Sequence, residues 1–283
     1  MYIGLKSVKS PCGLEFAGGS QAGTGFASGV GGEMLELKPR AANVTVVFDL
    51  DGTIADTAGD LIDSANAALS AEGFGIAPHH IIRPKAGYGA RAMLEAALAA
   101  QGQAADAGQL ERLTAKLLSH YEEHIAANTK FFPGFSEAAR SLRMQGAKLA
   151  LCTNKRERLA LRLLSELGAG TLFDGIAGGD TFQFRKPDPR HIAGAVRLAG
   201  GDLSRAVMVG DSRPDVDAAK AAGIPVVAVG FGYAQEPPEE LGADAIMHRF
   251  DELPALIHAL LGGSGDALAA PPPRLCSGRR IPG

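Results

Sequence analysis

The sequence predicts an α/β fold. Strand and helix patterns alternate along most of the chain, and the strand segments are continuously apolar, without a polar residue at every second position. Continuous apolar runs are typical of strands buried on both faces of a parallel sheet. One long helical stretch interrupts the alternation after the first strand. We therefore predict a Rossmann-like parallel sheet with helices on both faces, plus an inserted α-helical cap domain.

The composition is that of a globular protein with a substantial core, since 46% of the 283 residues are hydrophobic and 21% are charged. The net charge is −3 and no basic patch stands out, so we expect no nucleic-acid partner. No apolar stretch approaches the roughly 20 residues that a membrane-spanning helix needs, so we expect no membrane partner. Cys12, Cys152 and Cys276 lie far apart, which argues against a disulfide framework or a zinc site and favours a cytoplasmic location.

The first strand of the predicted sheet ends in two acidic residues. The run Val44–Phe48 is apolar and largely β-branched, and Asp49-Leu50-Asp51-Gly52-Thr53 follows it directly. In an extended chain, side chains two residues apart point to the same side, so Asp49 and Asp51 should face one point while Leu50 faces away. Open α/β sheets bind their ligands at this carboxyl end of the strands.

Three further strands and four helices follow the same alternating order. The last of these helices stops at Gly223, a suitable residue just beyond a helix end, with Pro225 close behind. The predicted strands are Lys148–Cys152, Ala206–Val209 and Val226–Val229, and the predicted helices are 136–145, 156–167, 189–198 and 213–222.

The helical stretch after the first strand predicts a separate small domain. It contains helix patterns at 60–72, 90–101 and 109–127 and no convincing strand. We assign residues 57–130 to a helical cap domain and residues 43–56 and 131–261 to the α/β core domain. A bundle that only buries its own core would explain the pattern, but its position beside the two acids suggests a lid over a substrate.

Both ends of the chain read as disordered. Residues 1–42 are rich in glycine and small residues, and residues 262–283 contain Pro271-Pro272-Pro273. The sequence does not start with a basic segment followed by an apolar core, so we expect no secretory signal. Two interpretations of the N-terminal extension stay open. In the first, the functional protein begins near Met34 after an upstream over-read, or the extension is simply disordered. In the second, the extension contacts a partner.

Polar residues that could take part in catalysis or binding lie at or beyond four strand ends. They are Asp49 and Asp51, Thr153 and Asn154, Lys186, and Asp211 and Asp215. Each has a structural alternative: Asp and Gly dominate ordinary turns, Thr153-Asn154 could cap a helix, Lys186 could be a solvated loop lysine, and Ser212 begins a capping-box pattern. Because all four fall in this order at strand ends, a shared chemical role is the better explanation.

This combination of motifs closely resembles the haloacid dehalogenase superfamily of phosphohydrolases. The motifs match in order: Asp-x-Asp-Gly-Thr, a Thr at a strand end, a Lys before Pro, and Gly-Asp-Ser-x-x-Asp. The resemblance covers about residues 43–260. The helical stretch lies between the first and second motifs, where the helical type of cap of this family belongs. The acid at Asp51 favours phosphoryl transfer, because family members that cleave carbon–halogen bonds generally lack it.

The resemblance implies a role for each acidic residue. Asp49 is the implied nucleophile, which forms an aspartyl-phosphate. Asp51 is implied to protonate the leaving oxygen and then to take a proton from water. Mg²⁺ is the implied cofactor, held by the Asp49 and Asp211 carboxylates and the Asp51 backbone carbonyl. Asp215 is implied to bind the metal through water or to orient its ligands.

The resemblance also implies how the phosphate is held. The Thr153 hydroxyl and the Asn154 backbone N–H are expected to bind phosphate oxygens, and Lys186 to balance the charge on the transferred group. Lys85 and Arg91, in the glycine-rich cap loop, are candidates for a substrate carboxylate, with a solvated linker as the alternative. His120 and His124 lie four residues apart, but no acidic partner supports a metal site there.

Several short sequence segments resemble those of bacterial phosphoglycolate phosphatases. Relatives that act on other small phosphates share many of these segments. We therefore expect a phosphoric monoester hydrolase for a small phosphorylated metabolite, with 2-phosphoglycolate as the leading substrate and a monomer or homodimer as the assembly. The alternatives are a phosphatase of sugar phosphates or pyrophosphate, a phosphomutase of the β-phosphoglucomutase kind, and a non-catalytic phosphometabolite-binding module. The strings that resemble the phosphoglycolate phosphatases are Asp60-Leu61, Asn66–Leu69, Tyr88-Gly89, Tyr121–His124, Gly178–Asp180, Arg185–Pro189 and Gly230–Tyr233.

Overall fold

A six-stranded parallel sheet forms the centre of the protein. The computed structural model describes residues 43–234 and 236–262. The strand order is β5-β4-β1-β6-β7-β8, so β1 is central and pairs along one edge with β4 and along the other with β6. The strands of this sheet are β1 (Thr45–Phe48), β4 (Lys148–Cys152), β5 (Gly175–Ala177), β6 (Ala206–Gly210), β7 (Val226–Val229) and β8 (Ala245–Met247).

Alternate residues of the central strand enter two different apolar cores. Val46 and Phe48 pack into a cluster on one face of the sheet, whereas Val47 packs into a second cluster on the other face. All three side chains are fully buried. Burial on both faces explains why β1 carries no polar alternation, and the first charged side chain of this segment is Asp49, where the strand ends.

Helices cover both faces, as predicted. The first cluster receives residues from α5, α6 and α9, and the second from α7 and α8. Their bounds are α5 (Phe135–Met144), α6 (Glu157–Glu166), α7 (Pro189–Leu198), α8 (Arg213–Ala221) and α9 (Leu253–Leu261).

Four helices lie between the first strand and the remainder of the sheet; we call residues 57–130 the insert. Their bounds are α1 (Ala58–Ala71), α2 (His79–Ile82), α3 (Ala90–Ala100) and α4 (Ala107–Glu123). The chain enters and leaves the insert through a small antiparallel pair, β2 (Ala55–Asp56) and β3 (Lys130–Phe131). This pair holds the two connections side by side.

A single buried carboxylate also holds the base of the insert. Asp60, in the first turn of α1, accepts hydrogen bonds from the backbone N–H groups of Asn128 and Thr129 at 2.9 and 3.0 Å. It accepts two more from the Asn128 side-chain amide and the Thr129 hydroxyl. Because Asp60 is 2% exposed, these donors replace water and fix the return of the chain to the core.

The predicted fold class is confirmed, and the predicted strands match β1, β4, β6 and β7. The sequence did not predict β5, β8 or the β2–β3 pair, nor the short α2 and the 3₁₀ segment Arg83–Tyr88. The division into core and cap domains stays a prediction. Disorder was predicted for residues 1–42 and 262–283; apart from Gly262, these residues lie outside the described ranges. Within the described ranges, none of the helices has the length and apolarity needed to span a membrane.

Candidate active site

The two acids after β1 face one cavity. The Asp49 N–H donates to the Val209 carbonyl at 3.0 Å, which continues the pairing of β1 with β6 by one residue. Asp49 and Asp51 are 6% and 8% exposed and both line the cavity, whereas Leu50 is fully buried in the core. The alternation predicted from the sequence therefore places both carboxylates at the carboxyl end of the sheet.

Gly52 is needed where it stands. Its φ of 82° lies in the left-handed region, and a Cβ on this residue would come within 2.4 Å of the Asp211 carboxylate. The turn after Asp51 can therefore approach the end of β6 only without a side chain. This contact brings the first and last acidic motifs together.

Three carboxylates and one ammonium share a buried cluster. Asp49, Asp211 and Asp215 each place a carboxylate oxygen within 4.8 Å of the others. The Lys186 Nζ lies 2.9 Å from Asp49 Oδ1 and 2.5 Å from Asp215 Oδ1. All four residues are buried, so water screens their charges little.

Burial sets the protonation of this cluster. Removal from water, together with the neighbouring Asp215 and Asp51 carboxylates, raises the pKa of Asp49 to about 6, although Lys186 opposes the shift. Burial and the Asp215 and Asp49 carboxylates also hold the pKa of Asp211 well above its ordinary value. Burial disfavours the charged form of Lys186, but attraction to the Asp215 and Asp49 carboxylates outweighs this effect, so the pKa of Lys186 is raised.

Asp211 is oriented by donors from two loops. The Tyr233 N–H donates to Asp211 Oδ2 at 2.7 Å, and the Thr53 hydroxyl to Asp211 Oδ1 at 3.3 Å. The Tyr233 hydroxyl donates to Asp56 and accepts from the Ala58 N–H, which ties this loop to the start of the insert. Tyr233 was predicted only as part of a resemblance string, without a role.

Asp215 shows that the capping alternative and a site role coexist. The Ser212 N–H and hydroxyl both donate to Asp215 Oδ2, at 3.1 and 2.6 Å, at the start of α8. The other carboxylate oxygen of Asp215 faces Lys186. The predicted capping pattern at Ser212 is therefore present, and it fixes Asp215 inside the cluster.

Thr153 and Asn154 follow β4 and line the same cavity. Helix α6 does not use them as a cap, because its first N–H, from Glu157, donates to the Asp180 carboxylate at 2.7 Å. The Asn154 side-chain amide instead donates to the Lys186 carbonyl at 3.0 Å. Asn154 thus helps to hold the loop that presents Lys186.

A buried histidine supports that loop from the other side. His191, in α7, is fully buried; its Nδ1 lies 3.2 Å from the Lys186 N–H and its Nε2 lies 3.0 Å from the Gly178 carbonyl. A neutral ring with the proton on Nε2 satisfies both contacts. Burial and the Lys186 charge lower the pKa of His191 to about 4. The sequence did not single out His191.

Asp51 has two partners that sequence reasoning missed. The Thr57 hydroxyl donates to Asp51 Oδ1 at 2.6 Å, and Lys155 Nζ lies 2.9 and 3.2 Å from the two carboxylate oxygens. The Lys155 ammonium also lies over the ring of Tyr121, 4.4 Å from its centroid. The only available signal was a lysine directly after Thr153-Asn154.

The cavity, of about 490 Å³, lies between the sheet edge and the insert. The insert contributes residues of α1 and α4, including Tyr121, and residues 86–91, which run from the 3₁₀ segment into the first turn of α3 and include Arg91. Of the two predicted cap cations, Arg91 lines the cavity and pairs with Glu95 at 2.9 Å. Lys85 is absent from the described lining and lies over the Tyr88 ring, 5.6 Å from its centroid. Their role in carboxylate recognition stays a prediction.

The described residues fit a divalent cation at one place. Asp49, Asp211 and Asp215 offer hard oxygen ligands. The pKa values of Asp49 and Asp211 are raised, and a cation would relieve the repulsion between the crowded carboxylates. The His120 and His124 rings stack on each other at 4.2 Å, and His120 contacts the Ser64 hydroxyl. That pair is not part of the acidic cluster.

The sequence of this chain matches a hydrolase family over most of its length. The model of the haloacid dehalogenase-like hydrolases matches residues 46–229, and the chain belongs to this family. This range contains all the acidic residues of the cluster and Lys186.

The similar proteins narrow the class. The phosphoglycolate phosphatase of Mesorhizobium japonicum is 48% identical over 208 residues, covering 74% of this chain and 92% of the relative. That of Caulobacter vibrioides is 43% identical, covering 77% and 92%. A crystal structure of a predicted phosphoglycolate phosphatase from Haemophilus somnus superposes with a TM-score of 0.71 at 25% identity, covering 76% and 98%. The chain is thus a phosphatase of this family, as its motifs predicted.

Proposed function

We propose that the protein hydrolyses 2-phosphoglycolate to glycolate and phosphate, with Mg²⁺ as cofactor and through an aspartyl-phosphate on Asp49. The observation that carries this proposal is the placement of Asp49 and Asp51 on one cavity, with Lys186 2.9 Å from Asp49. The names of the two bacterial relatives described above support the choice of substrate.

Asp49 is the group that attacks phosphorus. Asp49 lines the cavity, and Lys186 lies between its carboxylate and that of Asp215. The Lys186 ammonium can balance the charge that collects on the equatorial phosphate oxygens. Thr153 and the backbone after it line the same wall and offer donors to those oxygens. Attack forms the Asp49–phosphate bond and breaks the bond from phosphorus to the leaving oxygen.

Asp51 moves the proton. The leaving alkoxide takes a proton from the Asp51 carboxyl, and Asp51 then takes one from the water that hydrolyses the aspartyl-phosphate. The Thr57 hydroxyl, 2.6 Å from Asp51 Oδ1, fixes the direction of this carboxyl group. The two acids therefore divide the work, with Asp49 making the covalent bond and Asp51 transferring protons.

Asp49, Asp211 and the Asp51 backbone carbonyl would hold Mg²⁺, and Asp215 would orient its ligands. Bound there, the cation supplies positive charge that offsets the repulsion between the phosphate and the carboxylates. The Tyr233 N–H and the Thr53 hydroxyl hold Asp211 for this purpose.

Phosphate release from a panel of phosphorylated metabolites tests the proposal. The panel contains 2-phosphoglycolate, sugar phosphates and pyrophosphate, each with Mg²⁺ and with a chelator. We expect the highest kcat/KM for 2-phosphoglycolate, dependence on Mg²⁺, and loss of turnover in Asp49→Asn.

Each other outcome identifies an alternative. Preference for a sugar phosphate or pyrophosphate rejects phosphoglycolate as the substrate. A product that keeps its phosphate at a new position identifies a phosphomutase. Equal turnover by Asp49→Asn rules out the covalent mechanism, and no turnover of any panel member points to a binding module.

A further inference from the structure

We propose that Lys155 is a specificity-determining residue, whose ammonium binds the carboxylate of the leaving group. This inference rests on the proposed function, because it concerns which phosphate esters the same cavity accepts. It moves recognition of the substrate carboxylate from the glycine-rich loop of the insert to the core loop that follows β4.

The position of Lys155 is the first argument. Lys155 lines the cavity, and its Nζ lies 2.9 and 3.2 Å from the two oxygens of Asp51. A leaving oxygen that receives a proton from Asp51 must lie within hydrogen-bond distance of that carboxyl group. In 2-phosphoglycolate the carboxylate is separated from the leaving oxygen by a single methylene. The substrate carboxylate is therefore within reach of the ammonium.

The environment of Lys155 is the second argument. The side chain of Lys155 is 5% exposed. Among the described residues that line the cavity, the other cationic residues apart from Lys186 are exposed to solvent. Arg91, the predicted candidate, is 67% exposed and already paired with Glu95. A charge pair shielded from water contributes more to recognition than an exposed one. The other exposed lining cations are Arg156 and Arg185.

The charge of Lys155 is secured by its neighbours. The Lys155 ammonium contacts both oxygens of Asp51 and lies over the Tyr121 ring. An ammonium has three donors. One ammonium can therefore bridge Asp51 and a substrate carboxylate while it remains over the ring of Tyr121.

The contact with Tyr121 joins the core to the insert. Tyr121 lies on α4 and is fully buried, and its ring forms one wall of the cavity next to Lys155. The ring and the Asp51 carboxylate hold the ammonium from two sides. The site therefore offers a fixed positive charge at the place where a carboxylate on the leaving group would lie.

Two substrates that differ only in the carboxylate test this inference. 2-Phosphoglycolate is compared with ethyl phosphate, in which a methyl group replaces the carboxylate, in the wild type, Lys155→Met and Lys155→Gln. We expect kcat/KM for 2-phosphoglycolate, relative to ethyl phosphate, to fall about 100-fold in both variants. Lys148→Met, at the opposite end of β4, is the matched control and should keep the wild-type ratio.

Binding gives a second readout that does not depend on turnover. In 3-phosphonopropionate a methylene replaces the leaving oxygen, and propylphosphonate lacks its carboxylate. The wild type should bind 3-phosphonopropionate more tightly than propylphosphonate, and both Lys155 variants should lose this preference.

The outcomes separate the two proposals. An equal loss on both substrates, with the inhibitor preference intact, overturns the inference and leaves Lys155 only as a support for Asp51. A wild type without preference for 2-phosphoglycolate refutes the proposed substrate instead. If Arg91→Met alone abolishes the inhibitor preference, recognition belongs to the insert loop.

Discussion

Two buried carboxylate sites in this protein differ in how their charge is balanced. At the base of the insert, Asp60 accepts hydrogen bonds from two backbone N–H groups and two side-chain donors. At the sheet edge, Asp49, Asp211 and Asp215 crowd within 4.8 Å and share the Lys186 ammonium. Both sites are buried, but only the first is satisfied by hydrogen bonds alone.

This difference separates a structural acid from reactive ones. A carboxylate surrounded by donors lowers the free energy of the folded state, and nothing is gained by its reaction. Burial, together with repulsion from neighbouring carboxylates, raises the pKa of Asp49 and Asp211, and such a cluster favours a cation or a transferring group in its midst. The sequence pattern alone does not reveal which kind of acid it contains.

Asp49→Asn should separate activity from stability most strongly. We expect turnover of 2-phosphoglycolate to fall at least about 10³-fold, because the nucleophile is lost. The raised pKa of Asp49 means that its ionised form destabilises the fold as pH rises above the ordinary Asp range. Without divalent metal at pH 7, urea unfolding should therefore show a free energy no more than about 1 kcal/mol below that of the wild type. A larger loss would give Asp49 a structural role.

Asp60→Ala should show the reverse behaviour at the base of the insert. Removal of the carboxylate leaves the Asn128 and Thr129 donors unpaired in a buried place, so we expect a loss of about 4 kcal/mol in the free energy of unfolding. Asp106→Ala is the matched control, since Asp106 caps α4 at the surface and should cost about 1 kcal/mol. Equal losses in the two variants would contradict the comparison.

His191 should make the loop around Lys186 sensitive to acid. Its folded pKa of about 4 lies below the ordinary value of 6.5, so the neutral ring stabilises the fold above pH 6.5. This contribution falls as the pH decreases towards 4, by up to roughly 3 kcal/mol. The measurement is the difference in unfolding free energy between the wild type and His191→Gln from pH 7 to pH 4, which cancels other groups. If this difference in unfolding free energy does not shrink as the pH falls, the prediction for His191 is wrong.

The Tyr233 hydroxyl should have the smallest effect. Tyr233→Phe removes its hydrogen bonds to Asp56 and Ala58 but keeps the N–H that donates to Asp211. We expect a loss of about 1 kcal/mol in the free energy of unfolding and a change in kcat/KM of less than about threefold. Chemical denaturation and steady-state kinetics on the same preparation measure both. A large fall in kcat would show that the hydroxyl supports Asp211.

The sequence predicts well what depends on local pattern. The buried run before Asp49, the two-residue spacing to Asp51 and the glycine turn follow from strand geometry, so the acids could be placed on one cavity. Short edge strands escaped prediction, because Gly175-Ile176-Ala177 carries little strand preference. Its pairing with β4 comes from the packing of the sheet.

The sequence predicts poorly which contacts a side chain makes once the chain has folded. Lys155 meets Asp51 and Tyr121 only after α4 has folded over the sheet edge. His191 meets the Lys186 N–H only after the loop has turned back on α7. No periodicity or spacing records such contacts, and they include the partners that control the predicted catalytic residues.

Acid quenching during turnover tests the central claim most directly. The wild type is mixed with 2-phosphoglycolate and Mg²⁺, quenched within the first turnovers, digested and analysed by mass spectrometry, with Asp51→Asn as a variant intended to slow hydrolysis of the intermediate. We predict a phosphate adduct on the peptide that contains Asp49, and no adduct in Asp49→Asn. Full turnover by the wild type with no adduct on that peptide, in the wild type or in Asp51→Asn, would contradict the account. So would an adduct on another residue.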